Sequence, residues 1–141
     1  LNNCYQFIRS LRMNKRQIKL SCYLEQLNIE VVKVEMILNQ LNRLKNNQEI
    51  ANYIIERDLL KTKCQLELSL ASLCIILRKM CENQFITLNQ ERRKDINSII
   101  HSNRFDFFED DKVYVFSQKG QEEVNIIQLL DYAKKIFKEI V

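Results

Sequence analysis

The chain has 141 residues, room for one ordinary domain or for one elongated element with a small appendage. Hydrophobic residues make up 46% and charged residues 28%, while a single Gly and no Pro leave few turns and point to helix. The net charge of +4 is concentrated at one end, because residues 1–45 hold eight Lys/Arg against three Glu.

The first predicted element is an amphipathic helix over residues 4–19, with Cys4, Phe7, Ile8, Leu11 and Ile18 on one side. Arg9, Arg12, Lys15, Arg16 and Lys19 follow one another with no acid before Glu25. Such a face can meet phosphates or an acidic membrane surface, or act as an organelle-targeting segment, but the favoured reading is a solvated helix face or one that meets an acidic partner subunit. Only Tyr5 and Phe7 interleave with the charges, short of the aromatic platform that single-strand binding uses.

From Leu20 to Met80 a seven-residue apolar frame runs without a shift. Leu24, Val31, Leu38, Leu59, Leu66, Leu73 and Met80 recur at position a; Leu20, Leu27, Val34, Leu41 and Ile76 recur at position d. A strict heptad keeps its stripe on one side of a helix and favours coiled-coil packing. The stripe weakens at Lys45, Asn46, Asn47 and Gln48. One continuous helix and a hairpin turning at Asn46–Asn47 both fit, and the register kept across the gap favours the continuous helix. Beyond Ile50 the apolar surface widens to Ile54, Leu60, Cys64, Leu68, Leu70, Cys74, Ile75 and Leu77. A helix that is apolar over most of its circumference is covered on several sides. Other protein subunits are the expected cover, so the isolated chain should be aggregation-prone or partly unfolded.

Glu82, Asn83 and Gln84 end that region. Thr87-x-x-Gln90 fits a capping box for a helix reaching about Ser102, with Leu88, Ile96, Ile99 and Ile100 inward. Phe105–Phe108 and Val113–Phe116 read as a β-hairpin turning at Glu109–Lys112. Pairing Phe108 with Val113 would place Phe105, Phe107, Tyr114 and Phe116 on one face. Glu122 and Glu123 then open a last helix that Lys134, Lys135 and Lys138 close, with Val124, Ile127, Leu130, Ala133, Phe137 and Ile140 as its apolar side.

Little in the chain points to chemistry. No Gly-rich loop is present to cradle a phosphate. The only histidine, His101, falls at a predicted helix end. Cys4, Cys22, Cys64, Cys74 and Cys81 form no C-x-x-C pair, and Cys74 and Cys81 lie two helical turns apart, too far to share a zinc ion. They read as reduced thiols of a cytoplasmic or nuclear protein. The longest nearly pure apolar run, Leu68–Leu77, is about half of what a membrane-spanning helix requires.

The expected fold is therefore mainly α: coiled-coil or helical-bundle helices over residues 1–83, with a break near 45–48 as the alternative, and a small helix–β-hairpin–helix cap over 84–141. The expected function is a non-enzymatic structural or interaction subunit of a helical assembly of the cytoskeletal, centrosomal, kinetochore or chromosome-associated type. Its partners would be other helical subunits, in a hetero-oligomer before a homo-oligomer, with no cofactor, metal or small-molecule substrate. The a and d residues named above would form the partner seam, and Phe105, Phe107, Tyr114 and Phe116 would dock the cap. The alternative is a nucleic-acid or acidic-membrane module. It would use the basic N-terminal residues, or the stretch from Arg92 to Phe116, which is locally similar to the last helix and wing of a winged-helix domain.

Overall fold

The computed structural model describes residues 14–46, 52–107, 112–118 and 120–140. Helix α1 spans Lys15–Asn46 and α2 spans Asn52–Glu82; α3 spans Gln90–Ile100. Strands β1 (Arg104–Phe107), β2 (Lys112–Ser117) and β3 (Gly120–Asn125) form an antiparallel meander, and α4 (Ile126–Ile140) follows. The mainly helical class with a small C-terminal α+β part is the one the sequence indicates.

The long helical region is a hairpin, not a continuous helix. Arg16, in the first turn of α1, donates from its two terminal guanidinium nitrogens to the carbonyls of Asn83 and Gln84, at 3.0 Å each, just beyond the end of α2. Lys19 donates to the Asn83 side chain at 2.7 Å, and the Tyr23 ring meets Phe85 edge-on with centroids 6.0 Å apart. The two helices are thus antiparallel. A shared frame does not require one continuous helix, because both helices present their a and d residues to the same seam. Of the polar interruption, 47–51 lies outside the described residues.

Caps fix the ends. Asn14 and Gln17 form a reciprocal capping box: Gln17 N–H donates to Asn14 Oδ1 at 2.8 Å, and Asn14 N–H donates to Gln17 Oε1 at 3.1 Å. Helix α1 therefore starts at Lys15, where the amphipathic pattern alone would carry it through from residue 4; residues 1–13 lie outside the described residues. At the far end of α2, Phe85 N–H donates to Met80 O (2.9 Å) and Gln84 N–H to Cys81 O (3.0 Å). This is a Schellman cap, and Gln84 takes the left-handed position in it at φ 64°. Asn89, not Thr87, caps α3, accepting from Arg92 N–H at 2.7 Å. His101 ends α3, as its position predicts.

The core forms one cluster. Along the seam, Leu27 and Val34 of α1 meet Leu66, Leu73 and Met80 of α2, all fully buried. Leu70, Cys74 and Leu77 lie on a second side of α2 and are equally buried. Helix α3 covers that side with Ile96 and Ile99, and α4 adds Leu129, Leu130, Ala133 and Ile136. The breadth of apolar surface on α2, expected to need partner chains, is largely covered by this chain itself. Each fully buried Leu contributes about 1.5–3 kcal/mol relative to exposure.

The sheet differs from its expected form in register and in extent. Phe107 pairs with Val113 and Phe105 with Val115, one residue off the expected pairing. A one-residue slip moves side chains to the other face. Phe105, Val113, Val115 and Val124 therefore face the core, while Tyr114 and Phe116 lie on the opposite face. Val113 and Val115 take the inward positions because they pack against α3, leaving the larger Tyr114 and Phe116 half-buried outside. Glu122 and Glu123 lie in β3 instead of opening the last helix, because Val124 is buried opposite Val113 and Glu122 and Glu123 pair with Val115 and Tyr114. Gly120, at φ 116°, pairs with Ser117 where the chain turns back from β2 into β3. Asn125 caps α4 by accepting from Gln128 N–H at 3.0 Å. The inward face of α4 is Ile126, Leu129, Leu130, Ala133 and Ile136; Ile127 is exposed.

Candidate functional site

The residues expected to form a partner seam are used inside the chain. Leu27, Val31, Val34, Leu41, Leu66, Leu73, Ile76 and Met80 are buried, and Leu20, Leu24, Leu38 and Leu59 pack against them half-buried. Helix α2 occupies the groove of α1 that a partner helix would have filled. Of the aromatic set, Phe105 is core and Tyr114 and Phe116 line the outer face of the sheet; Phe107 is placed by its register alone.

What stays uncovered is a different set. On α1, Ile29, Val32 and Met36 are 47%, 47% and 65% exposed. Their spacing of three and four residues puts them on one stripe, opposite the buried a and d positions. On α2, Leu60 and Leu68 are 65% and 71% exposed, two turns apart with exposed Cys64 between them. Single exposed apolar residues are ordinary, but aligned ones on long helices mark interaction surfaces. The signal on α1 was present in the sequence: Ile18, Cys22, Glu25, Ile29, Val32 and Met36 repeat in steps of four and three, a second heptad frame hidden behind the stronger first.

Among the basic residues, Arg9 and Arg12 lie outside the described residues, and Lys15 is exposed. Arg16 and Lys19 serve the fold. Besides its two bonds to the end of α2, Arg16 stacks over the Phe85 ring at 4.3 Å from its centroid. Cations at a helix C-terminus complement the dipole and the carbonyls left without an intrahelical partner. The outer face of the sheet carries Arg104, 4.5 Å over the Phe116 ring, and Lys112, 3.0 Å from Glu123.

A polar cleft of about 650 Å³ opens where α3 ends against the sheet, lined in part by Lys94, Ser98, His101, Ser117 and Glu122. The Ser98 hydroxyl lies against the Glu122 carboxylate and the Lys94 carbonyl, and its single proton serves one acceptor at a time. The Lys94 carbonyl belongs to α3 itself, so it is the Glu122 carboxylate that ties α3 to β3, and no hydrogen bond among the described residues joins the His101 ring to Ser98. Outside this cleft, Arg92 is buried beside Asp95 (3.2 Å) and Glu91 (3.0 Å) and donates to Gln128 Oε1 at 3.2 Å, tying α3 to the start of α4. Burial raises the Asp95 carboxyl, which nearby Arg92 partly opposes. Burial also drives the Cys74 thiol far up, with Asp95 adding to the effect, so Cys74 packs as an apolar group.

Among the described residues no group of His, Cys, Asp and Glu is placed to hold a metal ion, and no helix is long and apolar enough to cross a membrane. No protein-family model matches the chain, and no curated protein or solved structure shows significant similarity to it.

Proposed function

We propose that the chain is a non-enzymatic structural subunit of a helical protein assembly, and that it holds partner helices along the outer stripes of α1 and α2. The observation that carries this reading is the alignment of Ile29, Val32 and Met36 on one helix, and of Leu60 and Leu68 on the other. The intramolecular seam is filled by other residues, and among the described residues these stripes stay about half or more exposed. Long antiparallel helices are well proportioned for such docking. Helix α1 alone, at 32 residues, is about 48 Å long, and its outer face can engage a partner over several turns. The hairpin, closed by its own cap, then acts as a preformed docking rod.

The test uses photo-crosslinking residues placed singly at positions 32, 36 and 68 of the full chain in its native source, with controls at the exposed polar positions 26 and 65. Discrete partner adducts are expected from the apolar positions and not from the controls. Met36→Glu should remove the adduct from position 32, and Leu60→Glu that from position 68, while changing stability by no more than about 0.5 kcal/mol, since both substituted sites are largely exposed. Equal labelling at every position would count against an assembly role for these stripes.

A further inference from the structure

A groove of about 440 Å³ lies beside the point where the chain enters α1. Its walls are the link that follows α2, with Gln84, Phe85 and Ile86, and the second half of α4, with Ile136 and Ile140. The Tyr132 hydroxyl donates to the Thr87 carbonyl at 3.3 Å and ties the two walls together. Ile136 is buried, while Phe85, Ile86 and Ile140 are only half-buried, so apolar surface stays open there. Arg16, in the first turn of α1, donates to the Gln84 carbonyl and stacks on the Phe85 ring. The chain that leads into α1 is therefore brought to the mouth of this groove. Asn14 caps α1, and an N-cap residue has non-helical backbone, so α1 does not run back into the preceding stretch. Thirteen residues of the sequence precede Asn14, and helical spacing gathers Cys4, Phe7, Ile8 and Leu11 on one side. The cap separates that apolar side from the α1 seam, so it needs cover of its own.

We infer that this groove is the docking site of the chain's own N-terminal stretch, with Phe7, Ile8 and Leu11 set against Phe85, Ile86 and Ile140. Reach is not limiting. Only Arg12 and Met13 stand between Leu11 and Asn14, and three residue steps extend over about 10 Å. The loop to be closed is short, which keeps its entropic cost small. So short a tether gives the stretch an effective concentration in roughly the millimolar range, so it outcompetes a free occupant of equal affinity. Arg9 falls on the opposite side of the helical spacing and keeps its charge in water. The contact uses neither outer stripe, so it stands or falls separately from the assembly reading.

The experiment places a photo-crosslinking residue singly at positions 7 and 11 of the full chain, with position 6, on the opposite side, as the control. The chain is irradiated at high dilution and its adducts are mapped by peptide mass spectrometry. Positions 7 and 11 should give intrachain adducts to the peptides that hold Phe85, Ile86 or Ile140, and position 6 should not. Leu11→Asp and Ile140→Asp should each abolish the adduct from position 7 while helical circular dichroism is retained. Leu11→Asp alters the stretch and leaves the groove intact, so the test does not depend on how well Ile140→Asp folds. No intrachain adduct from position 7, adducts confined to other molecules, equal adducts from positions 6 and 7, or an adduct indifferent to Leu11→Asp would overturn the inference.

Discussion

At the scale of single residues, much of the fold is held by groups that look ordinary in the sequence. Gln84 occupies a left-handed position at φ 64° so that the Schellman cap of α2 can close and Phe85 can turn back over Met80. A residue with a Cβ is strained there, and Gly is the usual occupant. Gln84→Gly should therefore stabilise the chain by about 0.5–1 kcal/mol and raise its melting midpoint by on the order of a few degrees, read by urea and thermal denaturation. Its carbonyl still accepts from Arg16 in that variant, so the gain isolates the backbone strain. Arg16 shows the converse: one side chain in a basic run, legible as a phosphate ligand, instead caps α2 and stacks on Phe85.

At the scale of the element, the same helix carries two apolar frames with different uses. On α1 the frame through Leu27 and Val34 closes the hairpin, while the frame through Ile29, Val32 and Met36 faces outward. On α2 the broadened apolar surface divides in the same way: Leu70 is fully buried, and Leu68, two residues before it, is 71% exposed. Composition treats these two leucines alike, but the structure does not. Leu70→Ala should cost about 2–5 kcal/mol of folding stability through lost burial and the cavity left behind. Leu68→Ala should change it by less than about 0.5 kcal/mol, and urea unfolding of the two variants compares them directly. The sheet gives the same lesson in period two: one step of register decides that Val115 opposite Phe105, and not Phe116, joins the core.

At the scale of the whole molecule, the cap and the hairpin are joined by the return of α4 to α1. Leu129, Leu130, Ala133 and Ile136 are buried in the core shared with the hairpin. At the rim the Lys134 amine lies 2.8 Å from the Glu35 carboxylate, a hydrogen bond that holds the amine above its ordinary pKa. Both groups are exposed, so the pair adds little stability but is open to reagent. A zero-length carbodiimide coupling should join Lys134 to Glu35 within one chain, seen as a single intramolecular adduct by peptide mass mapping. Its absence, with other exposed Lys/carboxylate pairs coupled, would contradict the docking of α4 on α1.

Local periodicity, which the chain carries in its own order, was enough to specify the helical class, the heptad seam, the helix end at His101 and the presence of strands between α3 and the last helix. That the seam is filled from within emerged only from three-dimensional packing. Whether α1 and α2 run on or turn back depends on what covers them, and a frame common to both helices is compatible with either path. Packing likewise made β3 a strand and not a helical turn, because Val124 is buried beside Val113 while Glu122 and Glu123 taken alone suit a helix start equally well. It also separated Leu70 from Leu68. Burial is a property of neighbours, and the neighbours of a helix face are set by elements far away in the chain.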